Sequence, residues 1–167
     1  MKDFIEGQKV EILISALEER YEALRAIRER VQSVGIWALG ILFAAGAWLM
    51  QSDVSLSAFQ KELLVIAVAV MYVALRYNYL ENLSVGFKSQ QRVAARLEKT
   101  LGLFTQGVFD DEKDSVYPAE WANAGTEKGD GKFFGTTYML LLIGTIFLIV
   151  AILLSGSHVY HFSRFWY

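Results

Sequence analysis

Cysteine is absent from this 167-residue chain, proline occurs once and histidine twice. The lack of cysteine excludes disulfide bonds, thiol catalysis and metal sites that need thiolate ligands. The net charge of −2 provides no excess of positive charge for binding nucleic acid. No nucleophile–base pair, cofactor fingerprint or pair of catalytic carboxylates stands out. We therefore expect a protein that is not an enzyme and has no catalytic, cofactor or metal site.

Three apolar stretches are present, at residues 34–50, 63–75 and 133–154. A helix of about 18 apolar residues or more crosses a hydrocarbon core of roughly 30 Å. The first stretch is the centre of an uncharged segment between Arg30 and Asp53 and is long enough with its flanks, and the third is long enough by itself. The second is long enough if Lys61 and Arg76 extend their charges to the membrane surface. The sequence predicts an all-α integral membrane protein with three transmembrane helices.

Positive charge is distributed unequally around these stretches. Fourteen of the 16 basic residues lie before the first span or between the second and third, and only Lys61 and Arg164 lie elsewhere. Because basic residues concentrate on the cytoplasmic side of a membrane, we expect the N-terminus inside and the C-terminus outside, in a bacterial inner membrane.

Helical periodicity continues beyond the first two spans on the inner side. Apolar residues recur at steps of three and four before the first span, at Val10, Leu13, Leu17, Tyr21, Leu24, Ile27 and Val31. A similar stripe follows the second span, at Leu80, Leu83, Phe87, Ala94, Leu97 and Leu101, interrupted by Gln90 and ending near Gly102. These stripes predict an inward helical hairpin within residues 1–104. Its apolar seam is either buried within one chain or shared between copies.

Residues 105–132 are rich in glycine and acidic residues, which predicts an inner loop before the last segment, residues 133–167. Within the loop, Tyr117 and Trp121 flank Pro118, an arrangement that favours docking onto the hairpin or the lipid headgroups. The acidic run that begins at Asp110 lacks the ligand spacing of a calcium-binding loop, so a solvated turn is favoured.

Several residues are candidates for helix packing or for the membrane surface. Small residues let helix backbones approach closely, either within one chain or between copies. Arg76 either reaches the membrane surface or lines an aqueous pathway. His158 and His161 are attributed to an aromatic interfacial tail in preference to a metal site. The packing or oligomerisation candidates are Gly35, Gly40, Ala44, Leu80, Leu83, Phe87 and Leu97, and the interface candidates are Arg76, Tyr77, Trp121 and Trp166.

Two blocks of the sequence carry a resemblance to a known class of proteins. They are EERYEALRAIRERVQSVGIWALGILFAAG and LLVIAVAVMYVALRYNYLENLSVGFKSQQRVAARLEKTLG. Their order of inward helix, two spans and inward helix resembles the SLATT-type membrane effectors of prokaryotic defence systems. The resemblance implies a protein that oligomerises and perturbs the membrane when a sensor signals. This chain differs from that organisation by its third span.

The sequence thus favours a self-associating membrane protein that forms a pore or disrupts the membrane. The alternative is an accessory or scaffold subunit of a larger membrane complex, with the hairpin and the aromatic loop binding a partner protein. A small transporter is a third hypothesis, but the spans contain no acidic residue and no clear internal repeat.

Overall fold

The computed structural model describes residues 6–51, 55–108, 114–126 and 131–156, and this part of the chain contains helices and no strand. The helices are α1 (Glu6–Gln51), α2 (Ala58–Ala74), α3 (Glu81–Thr100) and α4 (Lys132–Leu154), with a π-helical segment (Leu75–Leu80) and a 3₁₀ turn (Ala119–Asn123). The expected all-helical class is confirmed for these residues. Three helical stretches are long and apolar enough to cross a membrane: Gly7–Gln51, Ala58–Thr100 and Lys132–Leu154.

Local sequence signals explain where the helices begin and end. The Ser57 hydroxyl accepts a hydrogen bond from the Gln60 backbone, and the Gln60 side chain accepts one from the Ser57 backbone, which is a capping box that starts α2. At the end of α3, Gly102 has a φ of 80°, and the Leu103 amide donates to the Glu98 carbonyl at 3.1 Å. This is a Schellman ending with glycine at the left-handed position, as the sequence predicted for Gly102.

A π-helical segment joins α2 to α3 without a break in the helix. It covers LRYNYL, the six residues that contain Arg76 and Tyr77. A π turn widens the backbone by one residue and recurs at functional sites in membrane and soluble proteins. No feature of the sequence predicted it.

The contacts divide the chain into two compact units, each built from separated segments. The polar unit consists of Met1–Arg30 and Asn82–Lys132, and the apolar unit of Val31–Glu81 and Phe133–Tyr167. In the apolar unit the core is a cluster of six buried side chains supplied by α1, α2 and α4: Leu42, Leu49, Val68, Leu148, Ala151 and Ile152. Dispersion contacts among such side chains hold helices together in lipid as they do in water.

Lys61 of the apolar unit binds the end of α4. Its ammonium donates to the Leu153 carbonyl at 2.9 Å and to the Ser155 carbonyl at 2.6 Å. The last carbonyls of a helix have no partner within the helix and carry partial negative charge, so a lysine is a favourable cap. The single basic residue expected in the first loop therefore has a local structural role.

In the polar unit, the segment after α3 folds back onto that helix. The Tyr117 amide donates to the Leu103 carbonyl at 3.0 Å. Gly125 has a φ of 85° and lies so close to α3 that an added Cβ would be 2.5 Å from the Lys88 carbonyl oxygen. The described part of the loop, residues 114–126, is thus docked on a helix of its own unit.

Candidate association and interface surfaces

The small residues of α1 divide into two groups. Gly35 and Gly46 face α4: an added Cβ would come within 3.0 Å of the Thr137 side chain at the first and 2.5 Å of the Phe147 ring at the second. Gly40 has open space around it, with no atom within 4 Å of an added Cβ, and Ala44 is exposed. Gly35 therefore lies against α4, whereas Gly40 and Ala44 lie on a surface that the described chain leaves open. The role of all three in packing or oligomerisation stays a prediction.

Gly40 and Ala44 belong to a continuous strip on α1. Trp37, Ile41 and Trp48 are spaced at helical intervals with them, and their exposed fractions are 72%, 64% and 60%. We call Trp37, Gly40, Ile41, Ala44 and Trp48 the outer stripe of α1. Its two small residues, Gly40 and Ala44, let another helix approach closely, and large apolar side chains lie on either side of them.

Arg76 lies among tyrosines in the apolar unit. Its guanidinium carbon is 5.3 Å from the centre of the Tyr77 ring and 5.4 Å from that of Tyr138, and its Nη1 donates to the Tyr72 hydroxyl at 3.4 Å. A cation over an aromatic face gains about 0.5–2 kcal/mol, more as water is removed. These rings therefore stabilise the guanidinium charge within the apolar unit. Tyr138 also donates to Glu81 at 3.4 Å, which places a carboxylate beside the cluster.

The predicted seam residues differ in burial. Leu80 and Phe87 are almost wholly buried, with 0% and 2% exposed, while Leu83 and Leu97 are half-buried. On α3 the buried surface also includes Glu98, at 8% exposed, which the apolar pattern did not indicate. Gln90, the polar interruption of the stripe, accepts a hydrogen bond from Arg20 at 2.9 Å. The contact between the two helical segments of the polar unit is therefore partly polar.

Glu98 is paired with Tyr21 across the polar unit. The Tyr21 hydroxyl donates to Glu98 Oε1 at 2.5 Å, in the range of hydrogen bonds to charged acceptors. Partial burial, together with hydrogen bonds to Glu98 and Tyr117, raises the pKa of Tyr21 above its ordinary value of 10.0. The sequence placed Tyr21 in an apolar stripe and left Glu98 out. The available signal was the helical spacing of Gln91 and Glu98 with the buried Phe87.

Trp121, predicted to lie at the membrane surface, belongs to the polar unit and is 56% exposed. Its ring centre is 5.6 Å from that of Tyr117, which in turn is 6.0 Å from Phe104. This aromatic row fixes the 3₁₀ turn, while the membrane role of Trp121 stays a prediction. Trp166, His158 and His161 lie outside the described residues, and so does most of the acidic run.

Within the part of the chain that the structure describes, no three acidic or histidine side chains converge as they would around a metal ion. Comparison of the sequence with models of protein families and with curated proteins, and of the fold with solved structures, finds no match. The physical character of the surfaces described above is therefore the basis for assigning a function.

Proposed function

We propose that this chain is a non-enzymatic integral membrane protein that self-associates through the outer stripe of α1 and, once assembled, opens or disrupts the membrane. In this arrangement the spans cross the bilayer with the N-terminus inside and the C-terminus outside. The polar extensions of α1 and α3 then form the inward hairpin.

The observation that supports the proposal is the open space at Gly40. Gly35 and Gly46 are glycines whose side-chain space is taken by α4, and Gly40 is not. In lipid, apolar surface alone does not drive helices to associate. Small residues let two helices approach closely, and the resulting van der Waals contacts stabilise the association. A second copy of α1 is the occupant whose shape and chemistry fit the stripe, because Trp37 and Trp48 frame the same small-residue gap in each copy.

The test compares Gly40→Leu with Gly135→Leu. Gly135, on α4, is also an exposed helical glycine with no atom within 4 Å of an added Cβ, so it controls for the glycine substitution itself. The protein mass in nanodiscs is measured by light scattering corrected for lipid. We expect an oligomer for the wild type and Gly135→Leu, and a shift to monomer for Gly40→Leu. A wild-type monomer, or an oligomer unchanged by Gly40→Leu, contradicts association through this stripe.

The membrane activity is tested separately, by release of a fluorescent dye from vesicles containing the same three proteins. The proposal expects release for the wild type and Gly135→Leu and its loss in Gly40→Leu. If the wild type is a stable oligomer but releases no dye, self-association is supported and the opening or disruption of the membrane is contradicted.

A second candidate function, an accessory subunit of a larger membrane complex, is favoured by apolar side chains on the polar unit. Val108, Val116 and Trp121 are each more than half exposed there, and a partner protein could cover them. Purification of the tagged chain from its native membrane in mild detergent distinguishes the two. A different protein at fixed stoichiometry supports the subunit role, and the chain alone as an oligomer contradicts it.

A further inference from the structure

The polar unit contains a cleft of about 540 Å³. This volume lies within the roughly 300–1,000 Å³ typical of small-molecule pockets. Three segments of that unit supply its walls: α1 with Tyr21, Arg25 and Arg28, α3 with Gln91, and residues 114–126 with Tyr117 and Trp121. The buried Ala94 and Ala95 lie along the α3 wall, and their small side chains leave the cleft open.

The lining of the cleft carries two positive groups and one negative group. Arg25 and Arg28 bring two guanidinium groups, and Glu98 is the single acidic side chain in the lining. Glu98 already accepts the Tyr21 hydroxyl, which disperses part of its negative charge. Arg25 binds Glu29 through Nε at 2.8 Å, and Arg28 also takes part in an interaction within the chain. A guanidinium carries five donors, so a contact with one partner leaves other donors for a ligand. Paired guanidiniums recognise phosphate and carboxylate in bidentate geometry.

The α3 wall adds a hydrogen-bond acceptor. Gln91 Oε1 is buried and accepts no hydrogen bond from any residue that the structure describes. A buried acceptor without a donor is costly, and the terminal torsion of glutamine is soft enough to turn the amide toward the cleft. A ligand N–H group is a suitable donor for this oxygen.

The third wall is aromatic. Trp121 lines the cleft, contacts Tyr117 and exposes 56% of its surface. Aromatic ligands stack on aromatic side chains, and a flat heterocycle gains most because it also excludes water from the apolar lining.

We propose that this cleft binds a nucleotide, with the phosphate at Arg25 and Arg28, the base stacked on Trp121, and a base N–H donating to Gln91. Simple inorganic phosphate matches only the arginines, and an uncharged nucleoside matches only the aromatic and amide walls. The assignment does not depend on how α1 associates with other copies.

The test uses the full chain in phosphatidylcholine nanodiscs and isothermal titration calorimetry. The probes are the adenosine, guanosine, cytidine and uridine monophosphates, the matching nucleosides and inorganic phosphate. We expect at least one monophosphate to bind with a Kd below about 1 mM, and its nucleoside and phosphate alone to bind at least about tenfold more weakly. Equal binding of phosphate and nucleotide, or no binding of any nucleotide, overturns the proposal.

Variants locate the binding. Arg25→Gln combined with Arg28→Gln should weaken nucleotide binding at least about tenfold, whereas Arg96→Gln, at an exposed arginine of α3 outside the cleft, should stay within about twofold. Trp121→Leu should weaken nucleotide binding similarly while leaving the weak binding of phosphate unchanged. Circular dichroism checks that each variant keeps its helix content. Wild-type affinity in a folded double variant, or equal losses in Arg96→Gln, contradicts this site.

Discussion

At the scale of single residues, the polar unit contains a hydrogen-bonded pair, Tyr21 and Glu98, of which the sequence pattern assigned only Tyr21 to apolar contact. Glu98 is 8% exposed, and the Tyr21 hydroxyl is its hydrogen-bond donor. A buried carboxylate that loses its donor keeps its desolvation penalty and gains nothing in return. The pair therefore fixes how the two helical segments align, because a shift of one residue along either would separate the two groups.

Tyr21→Phe removes the hydrogen bond to Glu98 and should lower the free energy of unfolding by about 1 kcal/mol at pH 8. We expect no larger loss because Tyr21 is partly exposed. The raised pKa of Tyr21 gives this difference a pH dependence. Above about pH 10 the unfolded chain releases the tyrosine proton while the folded chain keeps it, so the folded state binds more protons and stability falls as pH rises. The contribution of Tyr21 is complete below about pH 10 and is lost above it.

The measurement is denaturant unfolding in detergent at several values of pH between 8 and 11, with Tyr79→Phe as a control at another exposed tyrosine. The gap between the wild type and Tyr21→Phe should narrow as the pH passes about 10. A gap that is constant over this range, or one that widens, would contradict the role assigned to the pair.

Gly125→Ala tests the docking of the segment at residues 114–126. Gly125 has a φ of 85°, and its added Cβ would also meet the Lys88 carbonyl at 2.5 Å. Gly107 has a similar φ of 72° and open space around it, so Gly107→Ala carries only the conformational cost. We expect a loss of about 1 kcal/mol for Gly107→Ala and more than about 2 kcal/mol for Gly125→Ala.

Hydrogen exchange distinguishes the conformational cost of alanine at a positive φ from the steric cost of its contact with α3. The Tyr117 amide is bonded to the Leu103 carbonyl, so its exchange reports whether the segment stays docked. Exchange at Tyr117 should accelerate in Gly125→Ala and remain at the wild-type rate in Gly107→Ala. Equal protection in both variants would show that the close approach to α3 does not hold the segment.

At the scale of elements, α1 uses glycine in two ways along one helix. Gly46 is buried against Phe147, whose ring centre is 4.8 Å from that of Phe43, so a side chain at Gly46 must displace a stacked pair. Gly40, less than two turns earlier, has no neighbour to displace. The same residue type therefore maintains the core of the apolar unit at one position and leaves a surface open at the other.

Gly46→Leu should destabilise the apolar unit by about 1–3 kcal/mol, the usual cost of overpacking. Gly135→Leu, at an open position of α4, should change stability by less than about 0.5 kcal/mol. Resistance to unfolding by sodium dodecyl sulfate, followed by circular dichroism, measures both. Comparable stability in the two variants would mean that the Phe147 ring moves aside without cost.

The long helices could be predicted from the sequence because each rests on a local signal. The apolar periodicity from Val10 to Val31 leads into the stretch at residues 34–50, and α1 covers both, as Glu6–Gln51. The third apolar stretch, expected at 133–154, forms α4 at Lys132–Leu154. The π turn at Leu75–Leu80 and the Tyr21–Glu98 pair could not be predicted, because backbone register and cross-helix pairing depend on tertiary contacts. For the same reason, the sequence could not tell which glycines of α1 face α4.

At the scale of the whole molecule, the distribution of charge predicts an orientation in the membrane. The described part of the first loop, residues 55–57, and the start of α2 contain Lys61 as their one basic residue, and its charge is engaged by the carbonyls at the end of α4. The basic residues of the polar unit are much more numerous. Only basic residues close to the spans influence the orientation of insertion, and the polar parts of α1 and α3 contain such residues. The polar unit should therefore lie in the cytoplasm.

The absence of cysteine makes this orientation directly testable, because a single introduced thiol is the only one in the chain. Ser55→Cys places a thiol in the first loop and Ser89→Cys places one on α3, at exposed positions in both cases. A membrane-impermeant maleimide added to intact spheroplasts should label Ser55→Cys and should label Ser89→Cys only after the membrane is permeabilised. The reverse pattern would place the polar unit outside, and labelling of both thiols in sealed spheroplasts would contradict a chain that crosses the membrane between them.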